Sequence, residues 1–289
     1  PSEYGQVALG MTVATFLGQA WLGPLSTGAA RFFSPASEAG EVKSYLNAVG
    51  QLMFVVTKTM LPLILMISIF VLMSDFKAWL LLIVAALIFA TVTSYNGVAN
   101  GIQNAARQRV IVALHTGAVP WVRLFLAVSL IYFFGVSSAA VLCGYAIAAI
   151  VILISQYHFF KRILKMARQQ RTTLVETSHI WKSRIINYSW PFATWGVFFA
   201  LYQASDRWAL LAFSSASDVG LFSVLYQLGY YPVAIITEML FSLLTPIIFS
   251  RAGDGKDLRR LNNAMSLNLK IFGAVLLTTV CIFFVTWIS

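Results

Sequence analysis

Charge is scarce in this chain, and negative charge scarcest of all. Only 10% of its 289 residues are Asp, Glu, Lys or Arg, with 10 acidic residues against 20 basic ones and a net charge of +10. A soluble domain carries about 25% charged residues. With 59% hydrophobic residues and a mean hydropathy of +0.80, the chain has too little polar surface to cover a compact globule in water. Cysteine is nearly absent, and Cys143 and Cys281 both fall inside apolar runs. That excludes a disulfide framework and leaves too few thiols for a structural zinc site. His115, His158 and His179 are scattered. No metal-ligand cluster, P-loop or dinucleotide glycine pattern is spelled out, and Gly253-Asp254-Gly255-Lys256 is a glycine-containing turn rather than a phosphate loop. No cofactor or metal is therefore expected. Runs such as Leu80–Ile88 lack the alternation of a membrane β-barrel.

What the chain does contain is apolar runs of bilayer-crossing length, at about residues 6–28, 50–73, 78–100, 110–134, 138–160, 187–213, 219–248 and 265–288. A spanning helix needs roughly 20 mostly apolar residues, and in lipid the backbone must satisfy its own hydrogen bonds, which makes these runs helices. The fold class is thus all-α: a polytopic membrane bundle with eight transmembrane helices. The charges are sorted between the runs. The odd connections hold Arg31 and Lys43, then Arg107 and Arg109, then Lys161, Arg162, Lys165, Arg168, Arg171, Lys182 and Arg184, then Arg251, Lys256, Arg259 and Arg260, whereas the even ones hold only Lys77. Cytoplasmic loops collect Lys and Arg, so the odd connections are expected inside, with Pro1 and Ser289 on the outer side. The basic excess is matched to anionic lipid headgroups at the cytoplasmic face and not to nucleic acid. Pro1-Ser2-Glu3-Tyr4 has no basic leader region, so a further helix is expected to precede this stretch and the chain to be a fragment. The outer connections, about 74–77, 135–137 and 214–218, are tiny. None could house a catalytic domain, and no enzyme is expected. The basic connection 161–185 is read as a link between an N-terminal lobe, 1–160, and the start of a second lobe, 186–289. Prolines 24, 62, 120, 191, 232 and 246 interrupt helices.

Polar groups inside the runs narrow the reading. A charge at mid-bilayer costs about 2.5–3.5 kcal/mol on insertion scales, so it faces a wet cavity or a partner. Tyr202, Gln203 and Asp206 share one helix face, with Arg207 turned about 100° away. They form either a cavity wall with an ion site at Asp206 or an Asp–Arg pair near the outer interface. Gln227, Tyr231 and Glu238 form a stripe with Tyr226 beside it; Glu238 is either a proton-coupling group or a neutral acid bonded to backbone. Arg123 lies deep in 110–134, with His115 on roughly the same face. Arg31 ends the first run behind Gln19, Gly23 and Thr27. Lys58 and Arg31 either line an anion-attracting cavity or snorkel to headgroups.

Several short stretches resemble the polysaccharide-flippase (O-antigen type) branch of the multidrug/oligosaccharidyl-lipid/polysaccharide exporter superfamily: Pro1-Ser2-Glu3-Tyr4-Gly5, Gly28-Ala29-Ala30-Arg31-Phe32-Phe33, Trp121-Val122-Arg123-Leu124, Ser205-Asp206-Arg207-Trp208 and Val219-Gly220-Leu221-Phe222-Ser223. The resemblance covers the whole chain, read as about helices two to nine of a two-lobed fold with 12–14 helices. It implies a central cavity opening alternately to each side and movement of an undecaprenyl-pyrophosphate-linked oligosaccharide across the bacterial inner membrane. On that basis Arg31, Arg123 and Arg207 are expected to contact substrate phosphate and Tyr226, Gln227 and Tyr231 to line the glycan path. Asp206 and Glu238 are expected to couple to a proton or sodium ion. The alternatives are a drug or metabolite exporter of the same superfamily and a membrane enzyme of glycan assembly.

Overall fold

The computed structural model of the chain describes residues 2–73, 79–168 and 174–230, together with 259, 262–263, 265–266 and 269–278. Among the described residues there are helices and short turns and no strand, as the apolar runs require. The elements are α1 (Ser2–Leu17), a one-turn π segment (Gly18–Leu22), α2 (Gly23–Glu38), α3 (Val42–Met73), α4 (Leu80–Ala105), α5 (Arg109–Phe134), α6 (Ser138–Arg168) and α7 (Leu174–Phe213).

Among the described residues, four helices are long and apolar enough to cross a bilayer: α3, α4, α5 and α6 as far as Lys165. The other four expected spans are not shown as such. The run 6–28 is divided between α1, the π segment and α2, and 187–213 lies in α7, a helix of 40 residues that begins in the polar stretch before it. The runs 219–248 and 265–288 fall largely outside the described residues, apart from helical residues up to 230 and the short apolar helix Leu269–Thr278.

The chain divides into two compact units, Pro1–Leu221 and Phe222–Ser289. The expected link at 161–185 falls inside the first, because α7 packs on α1, α2, α3 and the π segment. Central to that unit is α4, which touches every element from α1 to α6. Its buried face, Ala85, Ala86, Leu87, Phe89 and Ala90, is rich in alanine, which lets neighbouring helices come close. At the other extreme α5 packs mainly on α6 and buries only His115 and Ala127. Trp121, Phe125, Tyr132 and Phe133 on α5 are exposed, an apolar surface suited to lipid and not to water.

Local chemistry sets the helix ends. Gly135 has φ 89°, and its N–H closes α5 on the Ile131 carbonyl; this left-handed position suits glycine. The expected tight hairpin is found there. It is tied to α1: the Ser138 N–H donates to Glu3 Oε2 at 2.6 Å and the Ser138 hydroxyl to Gln6 Oε1 at 2.6 Å. A carboxylate thus sits at the α6 N-terminus, where the helix dipole favours negative charge. Ser215 opens the helical stretch after α7 in the same way, accepting the Asp218 N–H at 3.3 Å, while Asp218 accepts hydroxyl protons from Ser214 and Ser215. Those hydroxyl bonds hold the exposed Asp218 carboxyl below its usual range.

Candidate functional site

Proline at position 24 reshapes the first long helix. It has no N–H to give the Ala20 carbonyl, and its ring would clash with that carbonyl in an α-helix. The backbone widens by one residue instead: the Gly23 N–H bonds back to Gly18 O, five residues earlier. Such π turns splay side chains and leave room beside the helix.

That room is a cavity of about 370 Å³ between the defect, α4 and α5. Its polar walls are Thr15, Gln19 and Ser26 from the first helix, Thr93 and Ser94 from α4 and Arg123 from α5. Ser26 donates to the Gly97 carbonyl at 2.9 Å and Ser94 to the Ala90 carbonyl at 2.7 Å. The Thr93 hydroxyl is buried with no hydrogen-bond partner among the described residues. Arg123 stands near the middle of the 26-residue α5. Its guanidinium lies 4.7 Å from the Phe89 ring centroid and 6.0 Å from that of Tyr145, so two ring faces support the cation. Among the described residues no carboxylate lines the cavity. A permanent cation with hydroxyls and an amide can hold an anionic, oxygen-rich group, since a guanidinium presents several donors in a plane matched to phosphate.

The remaining candidates are dispersed. Gln19 and Gly23 reach the cavity, but Arg31 is exposed further along α2. The stretch around Arg31 is a packing element. Ala29 O accepts the buried Tyr45 hydroxyl at 2.5 Å, Phe33 meets Tyr45 edge-on, and Phe32 contacts Trp181 and Tyr188 of α7. Lys58 is exposed on α3. His115 lies apart from the cavity and is held between α5 and α6. Its Nδ1 is 2.8 Å from Ile111 O and its Nε2 is 3.0 Å from Ser155 Oγ. A carbonyl only accepts, so Nδ1 carries a proton and donates to Ile111 O. On α7 Asp206 is exposed and Arg207 half-buried, and the neighbouring Trp208 indole donates to Thr12 Oγ1 of α1 at 2.9 Å. In the second unit Tyr226 stacks on Tyr230 with centroids 5.1 Å apart, and Gln227 is half-buried. Tyr231 and Glu238 lie outside the described residues.

Sequence reasoning missed a column of amides between α4 and α6. Asn96 donates to Ala149 O at 3.0 Å, and Gln156 donates to Asn100 Oδ1 at 2.5 Å. Gln103 is fully buried, and neither end of its amide meets a partner among the described residues. The signal was available: Asn96, Asn100 and Gln103 recur at helical spacing inside an apolar run, and buried amides mark a helix-helix seam or a wet crevice. Also unread was Gly196, where a Cβ would lie 2.4 Å from the Gln19 carbonyl oxygen. Only glycine lets α7 rest directly on the π turn.

No protein-family model matches the chain, and neither do the curated proteins or the solved structures. Among the described residues, the fold and the cavity define an all-helical class with four helices of bilayer-spanning length and apolar character.

Proposed function

We propose that this chain belongs to a membrane transporter that moves a lipid-linked oligosaccharide, carried on undecaprenyl pyrophosphate, across the bacterial inner membrane by alternating access, for surface polysaccharide biosynthesis. The observation that carries the reading is Arg123, a permanent cation near the middle of α5 that lines a cavity together with hydroxyl and amide groups. A guanidinium beside hydroxyls and an amide suits an anionic, oxygen-rich cargo. Gln19, Thr15 and Ser26 add hydrogen-bonding groups of the kind that bind sugar and phosphate oxygens. The π turn supports the reading as well, because such defects recur at functional sites in helices.

In this scheme Arg123 is the main phosphate contact, with Arg31 and Arg207 as further cations on the route. Tyr226, Gln227 and Tyr231 line the glycan path, and Asp206 and Glu238 couple the cycle to a proton or sodium ion. The chain lies in the inner membrane with Pro1 and Ser289 outward, and its basic connections meet anionic lipids inside. The test is complementation of a strain that lacks its own flippase by the full-length protein carrying Arg31→Ala, Arg123→Ala or Arg207→Ala. Surface glycan falls at least about tenfold for Arg123→Ala at normal protein level, as loss of one buried charged contact of about 1.5–3 kcal/mol requires. Undiminished glycan in all three variants removes the phosphate role.

A further inference from the structure

A second void lies on the other side of α4. It is a groove of about 520 Å³ between α3, α4 and α6, and its walls are almost wholly apolar, among them Met53, Ala99, Ile154 and Tyr157. On α6 the lining runs from Leu153 to Leu164, about 16 Å of helix at 1.5 Å per residue. That is close to half of the roughly 30 Å hydrocarbon core, the depth of one leaflet.

One end of the groove is basic. The Lys161 ammonium packs 5.3 Å from the ring centroid of Tyr157, itself a groove residue. Lys165 follows one turn later, on the same flank of the groove residue Leu164, and both lysines are exposed. Among the described residues no acidic side chain lines the groove. An apolar slot one leaflet deep, with two ammonium groups at its mouth, has the chemistry of a lipid anion: tail in the slot, phosphate at the lysines.

We infer that this groove holds one acyl chain of an anionic phospholipid whose headgroup is bound by Lys161 and Lys165. The occupant is distinct from a lipid whose head sits in the Arg123 cavity. The groove uses Tyr95, Val98, Ala99 and Ile102 of α4, whereas the cavity uses Phe89, Thr93, Ser94 and Gly97, so the helix stands between them. The inference does not rest on the transport reading, and lipid retention is measured without any transport.

Gly50 supplies the decisive variant. It lines the groove, and a Cβ added there meets nothing within 4 Å. Gly50→Phe therefore starts its ring from open space in the slot. The full chain is reconstituted in nanodiscs with equal phosphatidylglycerol and phosphatidylethanolamine, and native mass spectrometry counts the lipids that stay bound. The expected result is one retained phosphatidylglycerol per chain, preferred about thirtyfold over phosphatidylethanolamine, as two lysines at about 1 kcal/mol each would give. Gly50→Phe lowers retention at least about tenfold at unchanged melting temperature. The double variant Lys161→Gln/Lys165→Gln keeps a lipid but loses the preference, and its exposed positions make it independent of the packing change at Gly50. The inference is overturned by any one of four results: no retained lipid, equal retention of the two lipids, undiminished retention in Gly50→Phe, or displacement of phosphatidylglycerol by polyprenyl phosphate doped into the same nanodiscs.

Discussion

A guanidinium in the middle of an apolar helix is costly to hold, and the rings of Phe89 and Tyr145 offset only part of that cost. Replacing Arg123 by Met keeps the volume and removes the charge. On the proposed function, Arg123→Met should abolish export at normal protein level; a melting curve beside glycan export separates loss of function from loss of fold. Tyr45 is the opposite case. It is fully buried and donates to Ala29 O at 2.5 Å, so Tyr45→Phe strands an acceptor and costs about 1–2 kcal/mol in the same melt, with export little changed at permissive temperature. Asp218 sets a pH dependence. Its carboxyl is held below the ordinary range by Ser214 and Ser215, so its contribution is complete above the unfolded value of about 3.9 and fades as pH falls through the lowered folded value. Limited proteolysis at the 214–218 connection should accelerate below about pH 4 in the wild type, and Asp218→Asn should flatten that rise. Single cations in the membrane were legible as residues, because each contradicts its apolar surroundings. Their grouping was not: Arg31 and Arg123 look alike in a hydropathy trace, yet only Arg123 faces the cavity.

Helix ends were the most readable feature of the elements. The run 110–134 became Arg109–Phe134, and the next began at Ser138 as expected, since charges and Gly135 mark where the apolar pattern stops. The interior of the first run was opaque. Hydropathy counts side chains and is blind to whether an N–H bonds four or five residues back, so 6–28 reads as one span although Pro24 forces a π turn within it. Gly196 carries the main expectation at this scale. Its hydrogen is all that separates α7 from the Gln19 backbone, and Gly196→Leu must push the helices apart. We expect a loss of about 3 kcal/mol or more, typical of overpacking against backbone, read as a lowered melting temperature. Gly50→Leu, on an open helix face, is the matched control and should be tolerated.

For the whole molecule, the sorting of charges gives a topology that cells can test. With Cys143 and Cys281 replaced by Ala, a cysteine at exposed Val136 in the hairpin should react with an impermeant maleimide added to intact cells. One at Lys161 should react only after permeabilisation, and equal labelling of both removes the assigned orientation. The basic stretch 161–185 looks like a linker by composition, yet α7 beyond it belongs to the same compact unit as α1. The contacts responsible, Trp208 to Thr12 and Gly196 to Gln19, join residues far apart in sequence, and neither leaves a periodic trace. The position of α4 has a consequence of its own. It is the shared partition of two voids, one polar and one oily, and any tilt that widens one narrows the other. On the proposed lipid and transport readings, occupants of the two compartments are thermodynamically linked, each shifting the other's affinity by the same factor. The fatty composition of the surrounding bilayer would then be an adjustable control on what the polar chamber accepts.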